Sequence, residues 1–415
     1  MMSRRFQIGA ATLSAHDPQL APALADAHAR RIRPLCLCRQ PAAPLYVARV
    51  AGQFIPKRMP GTGAQHDPGC DSYGAPPELS GFGDLVGRAI QEDVDAGVTI
   101  LRLGFSLSRT GRNPAPAAAP REGDSVKADA SKLSLQATLH YLWEEAGFHR
   151  WSERMSGKRN WFIIRKHLLH AAENKIAKGA PLADVLYIPE VFSAERKVEL
   201  AQRHLSAVNR IASGTTGPRR LMLLIGEVKE FAAARSGHNL VTKHLPGFSF
   251  LLREALHRRM TVRFDRELTL WNAVAGAHLI VIATFGVSSG GVPDVEELAL
   301  MVVTETWIPI EHTYDAQLVD ALTRNRRRFI KGLRYNLPAS RPLAAILLSD
   351  ARPSPSALYI IPPGAGPDYR ISLNELVAEN PLPAWIWNAG ESAMPALPPQ
   401  ERIGPPRGGA TTETT

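Results

Sequence analysis

The chain is poor in cysteine, with three in 415 residues, at positions 36, 38 and 70. So small and odd a number excludes a disulfide framework, so the fold must rest on its hydrophobic core. Long apolar runs are also missing. The longest, 277–287, is interrupted by His278 and Thr284, falls short of the ~18 residues a spanning helix needs, and reads as a buried strand. No membrane partner is expected. Arg4 and Arg5 have no apolar stretch behind them, so no secretory signal is read and the expected location is the cytoplasm. There is no GxxxxGK[ST], which excludes a P-loop nucleotide hydrolase, and no GxSxG to support a serine hydrolase. Internal repeats are absent.

Acid is scarce in three places. Residues 27–66 hold Arg30, Arg31, Arg33, Arg39, Arg49, Lys57 and Arg58 with no Asp or Glu. Residues 149–178 carry Arg150, Arg154, Lys158, Arg159, Arg165, Lys166, Lys175 and Lys178 against Glu153 and Glu173 only. Residues 324–334 add Arg324, Arg326, Arg327, Arg328, Lys331 and Arg334, again without acid. With a net charge of +10, these runs point to an anionic partner, DNA or RNA. The residues expected to meet it are Arg39, Lys57, Arg58, Arg154, Lys158, Arg159, Arg165, Lys166, Arg326, Arg327 and Arg328. The competing reading is that the runs are solvated faces of a protein-interaction scaffold.

The cysteines themselves form a pattern. Cys36-Leu37-Cys38 puts two sulfurs on one side of an extended segment, because strand side chains repeat every second residue. A hairpin over 44–57, turning at Ala51-Gly52, then returns the chain to His66-Asp67-Pro68-Gly69-Cys70. Pro68 and Gly69 forbid a helix there, so a tight turn brings His66 and Cys70 together. Cys36, Cys38, His66 and Cys70 therefore make a closed set of three sulfurs and one imidazole. Such a set suits a structural zinc ion and leaves no position for a reactive water.

Hydrophobic content of 45% and charged content of 21% are those of a globular protein. The expected class is mixed α/β (α+β) and multidomain. A zinc-stabilised N-terminal hairpin module occupies 1–108, with a helix over 17–31 and a second hairpin joining 85–91 to 98–107. The Pro/Ala/Gly-rich stretch 109–131 reads as a linker. A helical basic region follows over 132–215, with helices ending at Gly147, spanning about 158–177, and running from about 194 to 211. An α/β region covers 216–310: strands at 221–229, 239–244, 278–285 and 298–305, and one long amphipathic helix from Leu252 to Trp271. The last block, 311–395, reads as helix 314–331, strands 342–349 and 356–361, helix 371–379, and a final Trp385-Ile386-Trp387 segment. A disordered tail is expected over 396–415.

Other signals carry less. Glu227-Val228-Lys229 ends a strand as the second half of a metal-dependent nuclease motif would, but no strand-borne Asp precedes it to share the ion. Glu227 and Lys229 are the catalytic candidates of a nuclease alternative, and no other catalytic set is found. His238, His244, His278 and His312 lack metal-ligand spacing. Trp143, Trp151 and Trp161 read as core residues before base-stacking ones.

Several segments together carry a resemblance: CLC with HDPGCDSY, HYLWEEAGFHRW at 140–151, LYIPEVF at 186–192, LIGEVKE at 224–230, and WIPIEHTYDAQL with RRFIKGLRYN at 307–336. They resemble an uncharacterised proteobacterial family, domain of unknown function 1173, whose members are often encoded on integrative and conjugative elements. The resemblance covers nearly the whole chain outside the linker and tail, and implies no activity. The C-terminal block also looks like a degenerate restriction-endonuclease core that has lost its metal site. Its first strand has no acid before Asp350, and its second has neither Glu nor Lys. The function expected is that of a non-catalytic, zinc-stabilised nucleic-acid-binding accessory protein of a mobile element. A nuclease or nuclease remnant is the alternative.

Overall fold

The apolar stretch after Ala277 forms the axis of the fold. In the computed structural model it is the strand His278–Val287, buried from Leu279 onward. The structure describes residues 4–50, 52–59, 61–109, 130–211, 219–288 and 290–400. Residues 110–129 of the expected linker and 401–415 of the expected tail lie outside the described residues. The axial strand has antiparallel neighbours on both edges. Met222–Ala234 places Ile225 opposite Ile282, and Pro293–Val303 places Met301 opposite Ile280. With both edges paired and both faces covered, a strand tolerates an unbroken Val/Ile/Leu run.

Following the pairing outward from this strand leads back to it. Met222–Ala234 pairs with Gly237–Thr242, which pairs with Ser249–Leu252, which bridges in parallel to Pro293–Val303. Five strands therefore close a ring. In chain order the ring runs first, second, third, fifth, fourth, with only the third and fifth parallel. The first strand serves two partners, and a bulge between Val228 and Glu230 falls where the chain passes from one to the other. Two helices, Glu254–Arg263 and Asp265–Ala273, lie between the third and fourth strands. This is the strand order of an OB-type Greek-key barrel.

A second sheet orders Ala384–Asn388, Ser356–Ile361, Ile346–Leu348, Phe329–Lys331 and Arg150–Trp151. Its outermost strand comes from the basic region expected to be helical, so segments far apart in sequence share one sheet. One hydrophobic core accordingly runs from Leu85 to Trp387. Trp143, Trp151 and Trp161 are all buried in it, as core residues should be. The N-terminal sheet orders Ala11–Ser14, Arg5–Ile8, Leu35–Cys36, Ala43–Val50 and Gln53–Arg58. Together with the helix Leu20–Ala29 it encloses a small core of its own around Phe6, Leu24, Cys36 and Leu45.

Four expectations need correction. The helix expected over 252–271 is two, broken at Phe264. Phe264 N–H still bonds Met260 O at 2.9 Å and Leu268 N–H bonds Phe264 O at 2.9 Å, so the apolar stripe survives a change of axis. The helix expected to reach 177 ends at Ala172. Asn174 turns left-handed at φ 56° and sends Lys175–Ala177 into a strand beside Val98–Leu101. The helix expected over 314–331 ends at Arg324 for the same kind of reason, with Arg326 at φ 55° before the strand Phe329–Lys331. The start of the expected disordered tail is pinned. Trp385 Nε1 donates to Ala396 O at 2.9 Å, and Arg327 Nη1 to Pro398 O at 2.8 Å.

Asp350 explains part of the last block. It is buried and accepts from Arg327 Nε at 3.1 Å and from the Arg328 N–H at 2.7 Å. Its carboxylate is thus occupied in tying the strand end to the basic turn. Replacing it alone strands a buried guanidinium. Asp350→Ala is expected to lower unfolding free energy by about 3–5 kcal/mol in urea titration. A double Arg327→Met/Asp350→Leu variant should lose clearly less.

Candidate metal centre

Cys36 lies in a two-residue strand held from both sides, opposite Phe6 on one neighbour and Ala43 on the other. This pairing fixes the direction of the Cys36-Leu37-Cys38 segment, and the Leu37 N–H bonds Arg5 O at 3.0 Å. The hairpin Ala43–Val50 and Gln53–Arg58 carries the chain away and back, with Gly52 left-handed at φ 78° in its turn. Asp67 then closes the second half. Its Oδ1 accepts from the Gly69 N–H at 2.7 Å, and its carbonyl accepts from the Cys70 N–H at 2.8 Å. That turn swings Cys70 back over His66, as Pro68 and Gly69 led one to expect.

The four side chains meet. Cys36 Sγ is 3.7 Å from Cys70 Sγ, and Cys38 Sγ is 3.4 Å from His66 Nδ1. Cys70 Sγ is 4.0 Å from the same nitrogen. A tetrahedral ion with metal–sulfur bonds of about 2.3 Å and metal–nitrogen bonds of about 2.0 Å requires edges of roughly 3.5–3.8 Å. The observed separations fit such a tetrahedron, so the cluster can hold a metal ion. Backbone N–H groups support the sulfurs. Asp67 N donates to Cys38 Sγ and Ser72 N to Cys70 Sγ, each at 3.4 Å. With four protein ligands the shell is closed, a geometry for holding structure together.

The electrostatics agree. The hydrogen bond from Cys36, helped by His66 and the Ser72 N–H, brings the Cys70 thiol down to about 3 against the effect of burial. Sharing that hydrogen bond, with burial, pushes the Cys36 thiol up, and burial pushes Cys38 up. Three sulfurs packed together thus sustain one negative charge readily and resist the others. A divalent cation removes that resistance and displaces the remaining protons.

A second group of ligand-type residues, His238, Glu254 and His257, also lies close together. Its two rings are stacked face to face, 3.5 Å apart and 10° from parallel. Their in-plane lone pairs run side by side and do not converge on one ion.

The cluster is also a docking point for two distant segments. Arg150 Nη1 donates to Asp71 O at 3.4 Å, and Arg150 Nη2 donates to Tyr73 O. Tyr73 packs on Ile330 and Leu347. Arg328 Nη1 comes within 3.4 Å of where a side chain on Gly69 would begin. The strand carrying Arg150 pairs with the strand carrying Phe329 and Ile330, and Arg326 bridges to Glu153 at 3.1 Å. All three acid-poor segments therefore adjoin at the Cys/His cluster.

Those segments divide by burial. Arg39, Arg154, Lys158, Lys166 and Arg326 are exposed, and Arg328 is half-buried. Others of the expected set bind the protein itself. Arg159 donates to Phe148 O and Thr306 O, both at 3.1 Å, and Arg58 to Ser72 O at 3.3 Å. Lys57 pairs with Glu145 at 3.4 Å, and Arg327 is the buried partner of Asp350. Arg165 donates to Ile188 O at 3.0 Å on the rim of a separate cleft.

Glu227 is the other finding. It is buried, whereas Lys229 is exposed and faces Glu230 at 3.6 Å, so the two are not brought together. Glu227 instead meets Lys243 Nζ at 2.5 Å, His278 Nδ1 at 2.6 Å and His244 Nε2 at 3.5 Å. His278 stacks on Trp307 and His244 on Trp161. Among the described residues no second carboxylate contacts Glu227. Nothing in the spacing of these positions marked them. Strand pairing sets Glu227 opposite Ile280, and the Lys243 N–H bonds Glu227 O at 2.9 Å. Burial opposes the charge on Glu227, but nearby His244 together with hydrogen bonds from His278 and Lys243 outweighs it and holds the carboxyl well below its usual range.

Residues 6–390 match the family described as protein of unknown function (DUF1173), and the chain belongs to that family. No curated protein and no solved structure matches it.

Two outcomes follow for these groups. Protein purified without chelator should carry close to one metal ion per chain by elemental analysis. Cys36→Ala or Cys70→Ala should abolish it, and wild-type protein should release it on acidification, as the ligands reprotonate. For Glu227 the folded-state pKa is depressed, so its stabilisation is present above about pH 4.3 and fades as pH falls through the folded value. The stability gap between wild type and Glu227→Gln should therefore be widest near neutrality and narrow below about pH 4. A gap that is constant with pH would refute this.

Proposed function

We propose, from a family membership that carries no activity of its own, that this chain is a nucleic-acid-binding accessory protein without catalysis, its N-terminal module held by a structural zinc ion. The observation that carries this reading is the meeting of three acid-poor segments at one Cys/His cluster. Residues near positions 39, 154, 158, 326 and 328 are far apart in sequence, and chance scatter gives no reason for their runs to adjoin. Exposed guanidinium and ammonium groups on segments that meet at this turn suit phosphate contacts, which need positive charge without base-specific geometry.

Zinc is favoured over other ions by the ligand set, three thiolates and one imidazole in a closed tetrahedron. The OB-type strand order adds fold-level analogy, since such barrels often bind oligonucleotides, although a fold alone does not assign a function. An accessory role on a conjugative or otherwise mobile element is the setting that the sequence resemblance implies. A cytoplasmic location accords with reduced thiolate ligands. Among the described residues no helix is long and apolar enough to cross a membrane. The nuclease alternative draws nothing from Glu227, whose neighbours are an ammonium and two imidazoles, and nothing from Asp350, which is occupied by Arg327.

The purified protein should bind DNA or RNA with an affinity that falls steeply as salt rises, linearly in a log–log plot. An Arg39→Ala/Lys158→Ala/Arg328→Ala variant should bind at least about tenfold more weakly and lose about one from the slope for each phosphate contact removed. Absent or salt-independent binding would end this reading. Cleavage in Mg²⁺ or Mn²⁺ that disappears in Glu227→Ala would replace it with the nuclease one.

A further inference from the structure

A cleft of about 430 Å³ opens on a different part of the molecule. Its walls are the helices Trp161–Ala172 and Lys197–Asn209. Its floor is the short strand Leu186–Tyr187, and its far end is the turn at His244 and Leu245. The volume is that of a site for a small organic molecule.

The charges in the cleft do not cancel. Arg203 is satisfied, because Glu190 accepts from its Nε at 2.9 Å and its Nη2 at 3.0 Å, and Glu199 accepts from its Nη1. Arg165 and Arg210 have no such partner. Arg165 uses its Nε on Ile188 O at 3.0 Å, and Arg210 uses its Nε on Ala207 O at 3.4 Å. Among the described residues neither reaches a carboxylate at ion-pair distance. Their terminal nitrogens are thus left as donors beside a wall of apolar side chains, including Leu169, Leu200 and Leu245.

One imidazole adds direction. His244 lines the cleft and turns its Nε2 toward Glu227 Oε2 at 3.5 Å. Trp161 lies flat against the ring, with centroids 5.1 Å apart and planes 11° from parallel. The stack on Trp161 holds the ring with Nε2 facing Glu227 without a hydrogen bond, and its other nitrogen, Nδ1, lies on the side away from Glu227.

We propose that this cleft binds a small organic oxyanion. Its phosphate or carboxylate sits on Arg165 and Arg210, its apolar body lies against the leucine wall, and His244, stacked on Trp161, supplies a further hydrogen bond. Paired guanidinium groups suit either head group, since both offer planar or tripod oxygen acceptors to fork-shaped donors. This site is independent of the phosphate contacts proposed around the Cys/His cluster.

The test is calorimetric titration of the full-length, metal-loaded protein with phenyl phosphate, benzoate and benzyl alcohol. The three probes share an apolar ring and differ in head group. At least one anion is expected to bind with one-to-one stoichiometry while the alcohol does not, and the stronger anion names the head group. Arg165→Ala or Arg210→Ala should weaken that binding at least about tenfold, and Arg324→Ala, on another helix, should not change it. Arg210 stands at an exposed helix end, so its removal leaves the fold intact even if Arg165→Ala disturbs the Ile188 contact. Binding of neither anion, equal binding of the alcohol, or binding indifferent to both arginine variants would overturn the proposal.

Discussion

The strand His278–Val287 must be buried on every side, and much of the molecule is arranged to meet that requirement. Its residues are apolar nearly throughout, so neither face nor edge can stand in water. Met222–Ala234 and Pro293–Val303 cover its edges. Curling Met222–Ala234 past its bulge to reach Gly237–Thr242 closes the ring, so that each of these five strands has a partner strand on both sides. The helices after Leu252 and the packed Trp143 and Trp307 cover what remains. A charged group is also buried in this apolar region. Glu227, opposite Ile280, is tolerated because two imidazoles and an ammonium meet it at once.

The N-terminal module solves a different problem. Among the described residues its core holds eight buried ones, too few to secure a sheet of short strands. The Cys/His cluster sits at the edge of that core, with Cys36 belonging to both. A bound ion would join the Cys36-Leu37-Cys38 strand to the His66–Cys70 turn across the hairpin. Arg328 reaches this turn and Arg150 and Ile330 dock on the residues just after it, Asp71 and Tyr73, so stability of the module and placement of the basic segments depend on one feature. Coupling of this kind explains why acid-poor runs from three parts of the chain end side by side.

Short-range features were legible in the sequence wherever a single segment determined them. The 44–57 hairpin follows from a Gly in its turn, and the His66–Cys70 turn from Asp67, Pro68 and Gly69. The three tryptophans, read as core residues, are buried. Helix ends were read less well. Asn174 and Arg326 adopt left-handed backbone with nothing in the apolar period to announce it, so periodicity ran on into residues that pair as strands. The basic runs misled in a similar way. Lys175 and Arg327 look like neighbours of exposed cations, yet each is buried against a carboxylate contributed from far along the chain.

The sequence by itself determined the Cys36, Cys38, His66 and Cys70 set, because strand alternation and turn chemistry act over a few residues and need no other segment. It also determined that residues 279–285 are buried, since no solvent-facing strand carries such a run. Only the tertiary structure decided which arginines face water, what surrounds Glu227, and that a cleft opens beside Arg165 and Arg210. Those outcomes depend on the register between strands and helices tens of residues apart. Register is set by packing of the whole core, in which no local spacing has a part.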